Sequence, residues 1–268
     1  MTAADQSPKR IVRGWWLLPT ATFVALLLSL LPGTGVEPRG DALLVGAILI
    51  GVLANYPIPG QDDEASFAHA ISLTLGLALG PGMMAMALAI GLTAGELVRA
   101  WIRSSPARRP GGLRERLRAS SLAWSLHTIS PLVALAAYQA AGGTYTAQTL
   151  APPPLVPVIA GGAAFSISFV VLAWLNHRLL CTSRPTRAEV TILVLIAVLP
   201  VPFAAVAATA YAQMGLVALL VLGSAPAVVA PILRGQVLTE SSLQRRLDEI
   251  ATLSQVSQAV RAGLDLGG

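Results

Sequence analysis

Over most of this chain the apolar positions neither alternate nor gather on one helical face. They run on in stretches long enough to cross a bilayer, separated by short polar, proline- or glycine-bearing breaks. A helix needs about 20 predominantly apolar residues to cross the ~30 Å hydrocarbon core. By that measure the runs are Trp15–Leu31, Asp41–Tyr56, Ser66–Leu79, Met83–Ile102, Ala119–Ala140, Leu155–His177, Glu189–Tyr211 and Gly215–Ile232. The pattern predicts an all-α, polytopic transmembrane bundle of about eight spans over residues 15–232, after a short segment at 1–14. The second and third runs are short. They fit tilted, partly re-entrant or protein-shielded helices, since irregular backbone at membrane depth must be buried away from lipid. Gly80-Pro81-Gly82 predicts a tight turn, and Gln213-Met214-Gly215 joins the last two spans so closely that they form an antiparallel hairpin.

After Ile232 the pattern changes. Leu243, Leu247, Ile250, Leu253, Val256, Val260 and Leu264 recur at gaps of three or four, which is one face of a helix. Thr239, Ser241 or Ser242 supplies an N-cap. A helix leaving a bundle over residues 233–268 has no lipid in which to bury such a stripe. It calls for a partner helix, most simply a second copy in a parallel coiled-coil dimer through residues 238–264.

Composition names the solvent. The chain is 54% hydrophobic and 12% charged, against about 25% charged for a soluble domain. Too little polar surface remains to cover a water-facing globule, so the lipid bilayer is the expected partner. Charge then sets the orientation. Of 18 basic residues only Arg39 falls outside if the N-terminus is cytoplasmic, and the run Arg103, Arg108, Arg109, Arg114, Arg116 and Arg118 falls inside. The positive-inside rule therefore puts both termini in the cytoplasm of a plasma (inner) membrane protein. The net charge of +5 does not indicate nucleic acid. The arginine loop lacks the interleaved aromatics of a single-strand binder and reads as a lipid-headgroup surface. The single cysteine, Cys181, excludes an internal disulfide and any CxxC site. The first apolar run is long and lacks a small-x-small cleavage site, so no cleavable signal peptide is expected.

The tail Leu243-Gln-Arg-Arg-Leu-Asp-Glu-Ile-Ala-Thr-Leu, continuing through Val256-Ser257-Gln258-Ala259-Val260 to Leu264-Asp265-Leu266, resembles the signalling helix that leads into a GAF domain in bacterial sensor proteins. Upstream, Ser66–Pro81, Gly91-Leu-Thr-Ala-Gly-Glu96-Leu-Val-Arg99 and Phe169-Val-Val-Leu-Ala-Trp-Leu-Asn176 are similar to multi-helix membrane sensor regions that precede HD-GYP, GGDEF or histidine-kinase outputs. The resemblance covers roughly residues 40–266. It implies the input half of a longer signalling protein, with no GAF, kinase, cyclase or phosphodiesterase motif in the chain itself.

Candidate chemistry is sparse. Glu96 and Arg99 lie one turn apart near one end of the fourth run, as a ligand contact or switchable ion pair, or as an i,i+3 pair reaching the headgroups. His69 and His127 fall within spans, where paired histidines can ligate a haem or metal. An outward-running third span puts His69 near the inner face and His127 about two turns deeper, which weighs against one shared site. Neither a metal nor another cofactor is expected, and the histidines read as hydrogen-bonded interior residues. Asn176 and its polar neighbours read as interhelical hydrogen-bonding groups or as the lining of a pocket for an unknown small ligand. Gly161 and Gly162 read as a close-packing surface. Pro200 and Pro202 in the seventh span, and Pro226 and Pro231 in the eighth, predict kinks. These proline sites, with Leu243, Leu247 and Ile250, are the candidate transmission path.

The functional expectation is a membrane sensory input module whose last hairpin drives a dimeric cytoplasmic helix. The alternative is a small-molecule carrier or substrate-binding membrane subunit. No catalytic motif is present: the chain has no nucleophile elbow, histidine–carboxylate cluster or metal-ligand spacing.

Overall fold

The computed structural model describes residues 19–23, 39–55, 58–59, 64–65, 67–102, 113–180 and 196–226, with separate positions at 194, 228–229, 232, 239, 243, 246–247 and 249–254. Side chains at 55, 58–59, 64–65, 99–102, 113–123 and 176–180 fall outside that description. Most of the first run, most of the arginine loop, Cys181, Pro231 and the start of the seventh run at Glu189 lie outside the described residues.

The fold is helical, as its hydrophobic pattern predicts. The helices are α1 (Gly40–Asn55), α2 (Ala68–Leu79), α3 (Pro81–Ile102), α4 (Leu113–Ala140), the single turn α5 (Thr146–Thr149), α6 (Leu155–Leu180) and α7 (Pro200–Met214). A further apolar helix, α8, spans Leu216–Pro226. The one departure among the described residues is a two-residue antiparallel pair, β1 (Ile58–Pro59) and β2 (Glu64–Ala65), which folds back the segment read as a plain loop.

Local chemistry sets the helix ends. Asp41 accepts a hydrogen bond from the Ala42 N–H in the first turn of α1, where a carboxylate also meets the positive end of the helix dipole. Gly80 closes α2 at φ +96° and returns its N–H to the Gly76 carbonyl. Pro81 then opens α3 at a position where a missing N–H costs nothing. Gly215 does the same work between α7 and α8, at φ +60° with its N–H on the Tyr211 carbonyl. Both predicted tight turns are present.

Among the described residues three helices carry stretches long and apolar enough to cross a membrane: Pro81–Val98, Leu155–Leu175 and Ile196–Met214. The outward face of α6 shows what such a helix expects of its solvent. Ile159, Ile167, Val171 and Trp174 are exposed while Gly161, Phe165, Phe169 and Ala173 are buried. A broad apolar face of this kind suits lipid and would drive association in water.

α2 is the centre of the bundle. Every residue from Ala68 to Leu79 is buried, enclosed by α1, α3, α4, α5 and α7. Twelve residues rise only about 18 Å, so α2 cannot cross the hydrocarbon core alone. Protein shields it from lipid, one of the three arrangements its length permits. Glycines let the neighbouring backbones close in. A Cβ on Gly91 would lie 2.5 Å from the Ala47 carbonyl oxygen, and one on Gly51 2.9 Å from that of Gly91, which fixes the α1–α3 crossing. Gly161 meets the Ala134 carbonyl at 3.0 Å on the same test and Gly162 meets Val201 at 2.7 Å, in keeping with the close-packing surface read there.

The seventh-run prolines sit at a break within the apolar helix Ile196–Met214, where residues 196–198 are helical and Leu199 forms a turn. Pro200 is the first residue of α7, preceded by a turn at Leu199, and Pro202 lies in the same first turn. Proline has no N–H to return to the preceding turn, which fits the break at Leu199. Pro226 is buried on α8, and residues 228–229 beyond it are helical too.

Candidate functional site

His69 stands in the first turn of α2 and His127 midway along α4, and both are buried. Their rings stack at a tilt of 31° with centroids 4.4 Å apart. The two histidines, whose expected depths weigh against one shared site without excluding it, come together here. The reason is the depth of α2: it starts only at Ala68, so its first turn lies inside the bundle. Counted along the helix axes, His69 lies about 16 Å below Gly80 and His127 about 20 Å below Ala140, which brings them to one level.

α6 completes the cluster. Phe165 and Phe169 lie nearly parallel, 5.7 Å apart. His69 meets Phe169 edge-on at 5.0 Å and 85°, and Phe165 at 5.6 Å and 65°. Edge-to-face contacts of this kind favour a fixed ring orientation.

The polar atoms are the unusual part. Nδ1 and Nε2 of His69, Nδ1 of His127 and Oγ of Ser130 are buried without a hydrogen-bond partner. The hydrogen-bonded interior role read for His69 is thus corrected. The other buried hydroxyls of α2 turn to their own helix, Ser72 donating to the His69 carbonyl at 3.0 Å and Thr74 to that of Ala70 at 2.7 Å. Ser130 lies one turn along α4 from His127, on the same face. Pro131 stands inside α4 and has no N–H, so the His127 carbonyl lacks its usual donor four residues on. Each unsatisfied buried group costs about 1–3 kcal/mol, so this cluster is kept at the expense of stability.

The pair offers an ion two nitrogen donors. Among the described residues no group of three or more His, Cys, Asp or Glu side chains comes together to hold a metal. The 4.4 Å ring separation leaves no room for a haem plane between the imidazoles.

One turn from the cluster, toward the Tyr145 end of the bundle, lies a small apolar cavity of about 20 Å³. Leu73 and Leu77 of α2 and Ala134, Leu135 and Tyr138 of α4 form one side. Val158, Gly161 and Gly162 of α6, with Val201 and Ala204 of α7, form the other.

Above the cavity the loop after α4 forms a hydrogen-bonded cap. The Tyr138 hydroxyl donates to the Thr144 carbonyl at 2.6 Å, and Gln139 Nε2 donates to the Tyr145 hydroxyl. The Tyr145 ring covers Gly80, where a Cβ would approach it to 3.3 Å. Thr146 Oγ1 donates to the Ala208 carbonyl of α7 at 3.0 Å. Burial pushes the Tyr145 phenol above its ordinary pKa of 10.0, and nearby Tyr138 adds to that, while the Gln139 hydrogen bond works against it.

Of the other residues singled out in the sequence, Glu96 lies half-buried on α3, five residues past the Gly91 crossing. Arg99 lies on the same helix and Asn176 on α6, with side chains outside the described residues. Leu243, Leu247 and Ile250 are exposed. Sequence reasoning missed Ser130, Pro131 and Phe165. The available signal was the dense polar stretch from Ser125 to Ser130 in an apolar helix, ended by a proline four residues after His127.

No protein-family model, curated protein or solved structure matches the chain.

Proposed function

We propose that this chain is a multi-pass sensory input module of the bacterial inner membrane, with about eight spans and both termini cytoplasmic. A C-terminal helix passes its state to a cytoplasmic output. The observation that carries the reading is the stripe Leu243, Leu247, Ile250 and Leu253, exposed by 55%, 66%, 63% and 69%. Spaced at three and four residues beyond the last apolar helix, it has the form of a seam for a second copy of the same helix. A self-contained transporter has no need of such a seam.

The buried histidine cluster supports the input half of the reading. Unsatisfied polar groups held in a packed core give a ligand something to bind that the empty bundle lacks, and so a differential affinity between two states. α7, which lines the cavity through Val201 and Ala204, and α8 precede the tail stripe in the chain.

Single cysteines placed along Leu243–Val260, with Cys181 replaced, test the dimer seam in membranes. Crosslinks recurring every three or four residues are expected. Absence of crosslinks at every position sinks the sensor reading. It would favour the second reading, a small-molecule carrier, for which the apolar cavity is the supporting observation and uptake into liposomes by the chain alone is the test.

A further inference from the structure

His69 holds its imidazole where the surroundings disfavour a positive charge. The ring is only 1% exposed, and a buried cation without a counter-charge is costly. It sits on the second residue of α2, at the positive end of that helix's dipole. Its stacking partner at 4.4 Å is a second imidazole, and Phe165 and Phe169 of α6 meet it edge to face. Two neutral rings stack, whereas two imidazolium rings repel.

The ionisable side chains described on the helices packed against the pair offer no close counter-charge. At the start of α1 stand Arg39 and Asp41, but Gly46 rests against Leu75, which sets both about 16–20 Å along the axis from His69. Tyr138 of α4, Tyr145 beside α5 and Tyr211 of α7 belong to the cap end of the bundle. The described side chains of α6 include no ionisable group. Glu96 of α3 stands nearest in level to His69, yet the ionisable group that acts on His69 is His127.

We infer that the His69–His127 pair is a proton-operated latch between α2 and α4. Neutral, the rings stack and the first turn of α2 stays packed. A proton taken up in mild acid makes that packing untenable, and the turn opens to bring the charge to a polar environment. The turn is built to give way there. Its start at Phe67 has no side-chain cap bond, and neither ring nitrogen of His69 has a hydrogen bond to break. Histidine suits the task because a free imidazole titrates near pH ~6.5, inside the physiological range. The proton is also a ligand that close packing admits, since the cavity of about 20 Å³ nearby is lined by neither histidine nor either phenylalanine. The latch supplies a stimulus for the sensor reading. It rests on that reading for what opening does to the tail, and not for the opening itself.

The test is hydrogen exchange of the full chain in detergent micelles, read by mass spectrometry at about pH 7.5 and about pH 5 and corrected for the intrinsic pH dependence of exchange. One imidazole that takes its proton only when the turn is open raises the open population about thirtyfold between these values. Protection over Ala68–Leu73 should fall by that factor, while Ala204–Ala208 of α7 keeps its protection. His69→Leu should remove the fall. If that variant does not fold, His69→Phe, which keeps a ring against Phe165 and Phe169, should remove it instead. Glu96→Gln should leave it in place. Protection unchanged by pH overturns the latch, as does a fall that survives loss of His69 or disappears in Glu96→Gln. A fall shared equally by α7 is general acid unfolding and overturns it too. Tail crosslinking at about pH 7.5 keeps the two ideas apart. Crosslinks with unchanged protection strike the latch alone, and a His69-dependent fall without crosslinks strikes the dimer seam alone.

Discussion

The imidazole of His69, in the first turn of a wholly buried helix, stacks on that of His127 at 4.4 Å between centroids, and neither ring nitrogen of His69 finds a hydrogen-bond partner. A packed membrane bundle gains nothing from such an arrangement. An apolar residue of similar volume would serve the core better, because replacing an unsatisfied polar group by an apolar one removes a desolvation cost of about 1–3 kcal/mol.

His69→Leu should therefore keep the fold and leave the unfolding temperature in detergent unchanged or raised by several degrees. Circular-dichroism melting checks it. A large fall in melting temperature would mean that His69 supports the core through its polar atoms, contrary to its orphan state.

The α1–α3 crossing depends on backbone contact. Gly91→Ala places a methyl 2.5 Å from the Ala47 carbonyl oxygen and 3.0 Å from Ile50. Main chain yields poorly, so a loss of about 1–3 kcal/mol is expected. Gly40→Ala, with nothing within 4 Å of the added methyl, is the matched control and should be neutral. Equal melting temperatures for the two variants would refute this account of the crossing.

The cap should carry a pH signature at the alkaline end. The Tyr145 phenol holds its proton more tightly folded than unfolded, chiefly through burial. A group whose folded pKa is raised contributes stability that is complete below its unfolded value of about 10 and is lost as pH rises through the folded value. Melting temperature should decline above pH ~10, and more steeply than in Tyr145→Phe. Parallel profiles for the two proteins would remove Tyr145 from the account.

The Thr146–Ala208 bond ties the cap to α7. Thr146→Val preserves shape, removes the donor and should cost about 1 kcal/mol. It should also quicken hydrogen exchange at the Thr146–Leu150 turn, whose closing bond runs from the Leu150 N–H to the Thr146 carbonyl at 2.8 Å. Unchanged exchange there would show that the turn holds without the tie.

Leu247→Asp in the exposed tail stripe should abolish crosslinking between copies and leave the bundle's melting temperature untouched, since Leu247 is 66% exposed. Crosslinking that survives the charge would rule out Leu247 as a seam position.

Much of this architecture is written in one dimension. Long apolar runs can only be helices in lipid, because only a helix satisfies every backbone group within its own segment. The turns at Gly80-Pro81 and Gly215 follow from residues that tolerate positive φ or lack an N–H, and the tail stripe follows from its spacing alone. These are local constraints, and sequence states local constraints directly. What tertiary structure decided is depth and neighbourhood. The length of Ser66–Leu79 indicated that it was short but not which of three arrangements it takes. Enclosure by five other elements made it a buried central strut, sinking His69 to the level of His127. The meeting of these two rings with Phe165 and Phe169, and the cavity beside them, depends on how far α2, α4 and α6 slide past one another. That offset is set by glycine contacts such as Gly161 on Ala134 and Gly76 on Leu135, between residues far apart in the chain, and no periodicity in the sequence encodes it.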